Sequence, residues 1–401
     1  MLILKVSDVY FPRVNGVSTS IETFRRDLQA LGHEVVLTAP AYAGVSSAET
    51  GIDRIRSRAV PKDPEDRIMN WRELKTTLAR CGGEVDVIHI HTPFLAHYAG
   101  LQLARARGIP VIATYHTLFE EYLHHYVPIL PRPVGRRLAR AFSRSQCNQL
   151  DAVIAPSRAM RDALRDYGVR QPIEVLPTGL PADRFRQGDG AAFRQRHGIS
   201  AHRPLLLFVG RAAHEKNIGF LIRMMPSVLK TQPDALLLIA GEGPAAASLQ
   251  TMAAQTGVAE SIRFMGYFNR DTELQDCYSA ADLFVFASLT ETQGLVLLEA
   301  MAQSVPVVAI PRMGTIDILA PEVGCKHAPD DVEGFAAATL GLLGATDQRK
   351  RMGAEARDYA LTWSSHAQAQ RLVDLYSTLI AGARRTGVPS SPGATEMPSR
   401  S

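Results

Sequence analysis

Residues 290–301 read T-E-T-Q-G-L-V-L-L-E-A-M, which sets Glu291 and Glu299 eight positions apart with Gly294 between them and an apolar run carrying the second. The stretch before it, D-L-F-V-F-A-S at 282–288, has the length and composition of a buried strand. Glu291 is therefore expected at the carboxyl end of a strand and Glu299 on the first turns of the next helix, the place where open α/β sheets bind ligands. The glycine lets backbone N–H groups approach an anion, and the helix N-terminus favours a pyrophosphate. The two carboxylates can accept hydrogen bonds from hydroxyls on either side of it. A sugar nucleotide presents that series of groups. The competing reading is that Glu291 caps the helix and Glu299 is solvated.

A second strand-like run, L-L-L-F-V-G-R at 205–211, breaks at a glycine and leads through His214-Glu-Lys-Asn217 toward a helix. Arg211 and Lys216 then sit at a strand end near a helix start, where one planar fork and one compact cation suit a pyrophosphate; alternatively they are surface cations paired with Glu215. Residues 241–246 match G-x-G-x-x-A, but Pro244 and the position in the chain argue for a tight helix start, not a dinucleotide fingerprint. Near the N-terminus, Asn15-Gly16 in the first strand-to-helix turn offers tolerance for positive φ and close ligand approach. His89 and His91 alternate along one predicted strand and His116 ends the next in T-Y-H-T. No carboxylate or cysteine accompanies them at ligand spacing and the chain has no Asp-x-Asp pair, so no metal site is expected. His116 is better placed to face a cleft than His89, which reads as a core histidine.

Arg132, Arg136, Arg137, Arg140 and Arg144 fall in one stretch without an acidic residue. Helical spacing sets Arg136, Arg140 and Arg144 on one face and Leu138, Ala141 and Phe142 on another, a pattern that fits docking on an anionic membrane surface together with the aromatic and apolar stretch 118–130. A solvated helix face is the plainer account.

Two series of alternating strand-like and amphipathic runs must position these groups, one over 2–176 and one over 204–310. At 401 residues, 46% hydrophobic and 21% charged, the chain fits two α/β domains, 1–182 and 204–365, with a linker at 183–203 and a disordered, Pro/Ser/Gly-rich tail at 387–401. No apolar run approaches the roughly 18 residues that span a bilayer, and the N-terminus reads as a first strand, not a signal peptide. Four scattered cysteines without a C-x-x-C fit a reducing, cytoplasmic setting, and a net charge of +4 gives no reason to expect nucleic acid.

Taken together, Asn15-Gly16, His116 in T-Y-H-T, Gly210-Arg211 with Glu215-Lys216, Gly241-Glu-Gly-Pro244 and Glu291-x7-Glu299 resemble the retaining glycosyltransferases of family 4. The resemblance implies the GT-B architecture, two Rossmann-like doubly wound domains facing across a cleft, with a last helix near 366–384 crossing back to the first. It implies a nucleotide-sugar co-substrate, no other cofactor, and metal-independent transfer. In that reading Arg211 and Lys216 hold the donor phosphates, Glu291 the sugar hydroxyls, the backbone at Gln293, Gly294 and Leu295 the phosphate or sugar, and Glu299 the ribose. Asn15 and Gly16 lie by the donor and His116 by the reacting sugar. Where much of the family has Gly-Phe-Gly after the first glutamate, this chain has Thr292-Gln293-Gly294. That form is similar to bacterial diacylglycerol glucosyltransferases and related lipid α-glycosyltransferases, which implies a lipid acceptor, a peripheral place at the cytoplasmic membrane face, and UDP-glucose ahead of GDP-mannose as donor. A soluble glycan or small-molecule acceptor, or a non-catalytic sugar-nucleotide binder, are the alternatives.

Overall fold

The computed structural model describes residues 1–44, 49–60, 63–81, 84–116, 132–269 and 272–385. The expected disordered tail and the apolar stretch at 118–130 lie outside them. Strands β1 (Leu2–Val6), β2 (Glu34–Pro40) and β3 (Ile52–Ile55) are followed by an antiparallel pair, β4 (Ser57–Val60) and β5 (Asp63–Met69), and then by β6 (Val87–Ile90), β7 (Val111–Thr114), β8 (Ala152–Ala155) and β9 (Ile173–Val175). Apart from the β4–β5 pair they form one parallel sheet in the order β3-β2-β1-β6-β7-β8-β9. Strands β10 (Leu205–Val209), β11 (Leu236–Ala240), β12 (Ile262–Gly266), β13 (Leu283–Phe286), β14 (Val307–Ala309) and β15 (Cys325–His327) form a second sheet in the order β12-β11-β10-β13-β14-β15. In both sheets the order reverses beside the first strand, so the loops after β1, β6, β10 and β13 open at switch points. This is the two-domain α/β architecture the sequence implied.

Strands β3, β4, β5 and β15 escape the sequence pattern for a physical reason. I-D-R-I, S-R-A-V, D-P-E-D-R-I-M and C-K-H carry charges inside short runs, and β3 and β15 are sheet edges with only one strand partner each. The segment 183–203 is no free linker. It contains helix Gly190–Arg196, whose Phe193 is fully buried in the second core, and Arg194 reaches Asp282 Oδ2 at 3.0 Å. A Cβ on Gly190 would sit 2.4 Å from the Ser279 carbonyl, so backbone lies directly on backbone there. Chain crossings occur instead at Leu180, whose N–H donates to Trp363 O (2.7 Å), and at Ser365, whose N–H donates to Leu180 O (3.1 Å). Helix Ser365–Arg385 then returns to the first sheet, burying Ala369, Leu372 and Tyr376 at helical spacing against Ile3, Val87, Ile112 and Ile154.

One core residue is costly. Lys5, on β1, is fully buried; its Nζ has no hydrogen-bond partner among the described residues and lies 5.5 Å from the centroid of the Phe24 ring. Burial lowers its pKa from 10.5 to about 7, against a raising pull from Glu22. Below pH 7 the amine is charged in both folded and unfolded chains, so the fold bears the whole desolvation penalty; above 10.5 it is neutral in both and the penalty vanishes. Lys5→Met is therefore expected to stabilise the protein by on the order of a few kcal/mol near neutral pH, with the gain shrinking as pH rises toward that upper limit. Urea unfolding of both proteins at about pH 6.5 and about pH 10 checks this; a gain that is absent, or that grows with pH, contradicts it.

Candidate active site

The second sheet builds one wall from loops laced through glycines. Gly210 N–H donates to Ala240 O (2.9 Å), Ala212 N–H to Glu242 O (2.9 Å) and Gly241 N–H to Gly266 O (2.7 Å). A Cβ on Gly241 would lie 2.0 Å from Gly210 O, and one on Gly243 2.4 Å from Ala212 O, so only glycine allows these strand ends to touch. The loop after β10 turns through the 3-10 segment His214–Lys216 into Asn217, whose φ of 53° is left-handed and whose Nδ2 donates to Ala287 O (3.1 Å). That turn aims Lys216 Nζ at Glu291 Oε1, 2.5 Å away. Lys216 therefore pairs across two loops, and Glu291 does not cap the following helix.

After β13 the chain reaches Gly294, at φ 95°, immediately before helix Leu295–Ala302. A Cβ there would press on Thr315 at 2.9 Å. Gly314 N–H donates to Glu291 O (2.8 Å), and a Cβ on Gly314 would be 2.1 Å from Thr292 O, so loop 312–315 buttresses residues 291–294 from behind. Glu299 is only 4% exposed and accepts from the Tyr278 hydroxyl at 2.9 Å, which overturns the solvated reading. The side chain of Gln293 turns away from the helix terminus and pairs with the main chain of Thr178.

The first sheet supplies the facing wall. Asn15 does not take a positive φ: it is extended at φ −154°, and its Oδ1 accepts from Ser18 N–H (2.8 Å), capping helix Gly16–Ala30. Asparagine is among the best residues for that task, and the cap leaves Gly16 as the first, exposed helical residue. His89 is a satisfied core histidine, with Nδ1 2.7 Å from Tyr376 Oη and Nε2 2.7 Å from Thr114 Oγ1. His91 Nδ1 lies 3.1 Å from His116 Nε2, so one of the two rings donates and the other accepts. Burial, reinforced by the charge of Lys5, pulls the His116 pKa down to about 3. No group of three His, Cys, Asp or Glu among the described residues could hold a metal ion.

Asp8, at the end of β1, went unnoticed in the sequence. Thr92 Oγ1 donates to its Oδ2 (2.7 Å), and Ala96 N–H donates to the same carboxylate (3.1 Å to Oδ2), at the start of helix Leu95–Arg107. Burial raises its pKa to about 6 against these bonds.

A cleft of about 1890 Å³ runs between the walls and is lined by Asn15, Gly16, His116, Arg211, Lys216, Glu291, Gln293, Gly294, Leu295 and Glu299, so every proposed donor-side residue meets in one place. The arginine-rich helix Arg132–Cys147 borders it through Leu138 and Phe142. Its faces differ from the expected pair. Gly135, Ala139, Ser143 and Cys147 are buried, whereas Val134 (47%), Leu138 (53%) and Phe142 (37%) form an exposed apolar stripe beside exposed Arg136 and Arg137. Arg140 lies 5.3 Å over the Tyr167 ring, and the Arg144 stem packs near Gly168. Nothing is described of the Arg132 side chain.

The family model for Glycosyltransferase Family 4 matches residues 14–184, and that for Glycosyl transferases group 1 matches residues 189–359. The chain is 35% identical to the alpha-monoglucosyldiacylglycerol synthase of Streptococcus pneumoniae over 312 residues, which make up 76% of this chain and 69% of that protein. It is 29% identical to a GDP-mannose-dependent alpha-mannosyltransferase of Mycobacterium tuberculosis, covering 79% of this chain and 80% of that one. Among solved structures, the sucrose-phosphate synthase of Thermosynechococcus elongatus superposes with a TM-score of 0.80 at 21% identity, covering 95% of this chain and 100% of that one. That likeness is one of fold.

The laced glycines make a sharp expectation. Gly241→Ala must push the β11 loop off Gly210, so nucleoside diphosphate binding is expected to fall by more than about tenfold, because a shift of about 1 Å in a positioned site costs that much or more. Calorimetric titration with UDP and GDP, beside a thermal melt to confirm folding, checks it. Unchanged binding would show that this lacing does not shape the site.

Proposed function

This chain belongs to glycosyltransferase family 4, and on that premise we propose that it moves a hexose, from UDP-glucose in the first place and GDP-mannose in the second, to a hydroxyl of a membrane lipid such as diacylglycerol, with retention at the anomeric carbon. The observation that carries the reading is the convergence of Arg211, Lys216, Glu291, Gly294 and Glu299 on one wall of the cleft, opposite Gly16 and His116. Arg211 and Lys216 neutralise the charge that develops on the departing diphosphate, a stabilisation that grows toward the transition state and so accelerates the step. Lys216 carries three ammonium protons, so it can hold Glu291 and a phosphate oxygen together. Glu291 meets hydroxyls of the transferred sugar and Glu299, oriented by Tyr278, the ribose. The acceptor oxygen forms the new glycosidic bond on the face from which the diphosphate leaves, and its proton departs with the phosphate. With two side-chain cations at the pyrophosphate, the reaction needs no divalent metal and no cofactor beyond the nucleotide sugar.

The lipid acceptor draws support from the apolar stripe at the cleft mouth. Gln146 Nε2 donates to Pro93 O (2.7 Å), seating helix Arg132–Cys147 against the turn that bears exposed Phe94 and leads into helix Leu95–Arg107 with exposed Tyr98. Aromatic and aliphatic side chains ringed by arginines suit the boundary between headgroups and acyl chains. No described helix is long and apolar enough to cross a membrane; the association we propose is a peripheral one at the cytoplasmic face.

A donor panel assayed by nucleotide release, with and without dispersed diacylglycerol and with excess chelator, tests the reaction. Release is expected with one donor, stimulated by lipid and insensitive to chelator, and Arg211→Ala or Lys216→Ala is expected to lower turnover by about two to three orders of magnitude. Near-normal turnover in both variants removes the pyrophosphate assignment, and loss with chelator restored by Mg²⁺ removes metal independence.

The docking surface has its own test. Each arginine near an anionic surface contributes roughly 1 kcal/mol. Replacing Arg136 and Arg137 with Gln and Leu138 and Phe142 with Ser should abolish co-sedimentation with anionic vesicles at low salt, while UDP binding changes by less than about twofold. Wild type that ignores such vesicles would turn the reading toward a soluble acceptor.

A further inference from the structure

Two contacts tie the loops behind residues 290–294 to the opposite domain. At the first, Thr178 N–H donates to Gln293 Oε1 (2.9 Å) and Gln293 Nε2 donates back to Thr178 O (2.7 Å), so a buried side-chain amide and a main-chain amide satisfy each other. Thr178 also donates through its hydroxyl to Ser20 Oγ (2.7 Å), on the helix whose first residue is Gly16. The contact thus runs from one wall of the cleft to the other. At the second, Arg158 N–H donates to Asp317 Oδ2 (2.7 Å) and Arg158 Nε to Asp317 Oδ1 (3.1 Å). Arg158 is the first residue of helix Arg158–Asp166, whose own cap, Ser157, accepts from Met160 N–H through its side chain and from Arg161 N–H through its carbonyl. A carboxylate from the second domain therefore satisfies a helix N-terminus of the first.

Residues 312–317, a turn running into helix Thr315–Leu319, join these contacts mechanically. Arg312 N–H donates to Thr315 Oγ1 (2.9 Å), and Thr315 Oγ1 donates to Arg312 O (2.7 Å), which closes the loop on itself. The same loop holds Glu291 through Gly314 and rests Met313 against the first-domain core. Chain crossings at Leu180 and Ser365 supply the pivot. Rotation about a pivot can preserve at most the contacts on its axis, so two contacts made by separate segments fix one angle between the domains.

We propose that Gln293 and Asp317 are positioning residues that latch the two domains at the angle where residues 290–294 face His116, coupling domain closure to the geometry of the loop that carries Glu291. The proposal rests on the functional reading of that loop as the donor site. Gln293 is the sharper of the two, because its amide donates and accepts at once. An isosteric glutamate keeps the acceptor but sets a second carboxylate oxygen against Thr178 O, and only a protonated carboxyl can donate there.

The test combines three measurements on the full chain with Gln293→Glu, Asp317→Ala and Asp317→Asn. Small-angle scattering should show a larger radius of gyration for Gln293→Glu and Asp317→Ala than for wild type, with Asp317→Asn close to wild type because it keeps an acceptor for Arg158 N–H. Hydrogen exchange of peptides covering 157–163 and 176–182 should slow on UDP binding in wild type and not in those two variants. Turnover should fall by about tenfold or more while UDP affinity changes by less than about threefold, and Gln293→Glu should regain activity below about pH 5, as its carboxyl protonates. A melting temperature near wild type excludes unfolding, and Asp317→Ala, which removes a contact to a mostly exposed arginine, keeps the test open if Gln293→Glu folds poorly. Unchanged radius and exchange in both variants overturn the latch whether or not nucleotide binds. Expanded variants of a wild type that binds neither UDP nor GDP uphold the latch and overturn the donor-site reading.

Discussion

Main chain lies against main chain at Gly241, Gly243 and Gly314, and the shape of the cleft depends on the absence of side chains at those points. Parallel strands alone leave a row of loops at their carboxyl ends, each free to wander. Hydrogen bonds from Gly210, Ala212, Gly241 and Gly314 convert those loops into one sheet-like rim. Glycine loses more conformational freedom on folding than any other residue, so the rim carries an entropic cost that ordinary turns would avoid. What the cost secures is a set of fixed anchor points for Arg211, Lys216 and Glu291 on two loops that are distant in sequence.

On that rim the charged side chains have partners of their own. Lys216 and Glu291 satisfy each other at 2.5 Å, and Glu299 is buried with a tyrosine hydroxyl as donor. A buried carboxylate without such partners would be costly to maintain. Pairing also keeps both side chains in one rotamer, so a diphosphate would meet groups already oriented, with little ordering entropy left to lose on binding. The latch proposed above extends the same logic from side chains to domains, since a rim held at the wrong angle would aim its charges into solvent.

The parts legible in the sequence are those where one local pattern suffices. Leu205–Val209 and Leu236–Ala240 are unbroken apolar runs because both sheet faces are covered, and the strand before Glu291 announces itself in the same way. Glu291, Glu299, Arg211 and Lys216 follow, since strand ends and helix starts fix where those positions point. Asn15 departs from the expected positive φ because asparagine serves both left-handed turns and helix caps, and only the backbone angle separates the two. The 183–203 segment looked like a linker because its burial rests on Phe193 and on glycines that admit other backbones. Thr178, Asp8, Tyr278 and Asp317 carry no local signal, because each matters through a partner between 21 and 159 positions away. The apolar stripe at Val134, Leu138 and Phe142 was hidden by an error of phase, since the buried face belongs to Gly135, Ala139 and Ser143, which are too small to read as a core.

The contrast between the two walls bears on where the proton goes in the proposed reaction. The second-domain wall carries Arg211, Lys216, Glu291 and Glu299, whereas His91 and His116 of the first-domain wall are uncharged at physiological pH. His116, with a pKa of about 3, holds a proton weakly and makes a poor base. His91, one hydrogen bond behind it, is pushed the same way by burial and by its neighbours. Asp8 titrates higher, near 6, but its oxygens are committed to Thr92 and to the start of the helix at Ala96. In the proposed reaction the departing diphosphate takes the acceptor's proton, and it can serve only if it stays on the face where the acceptor arrives. Weakly basic histidines facing Arg211 and Lys216 are consistent with the same-face route proposed above.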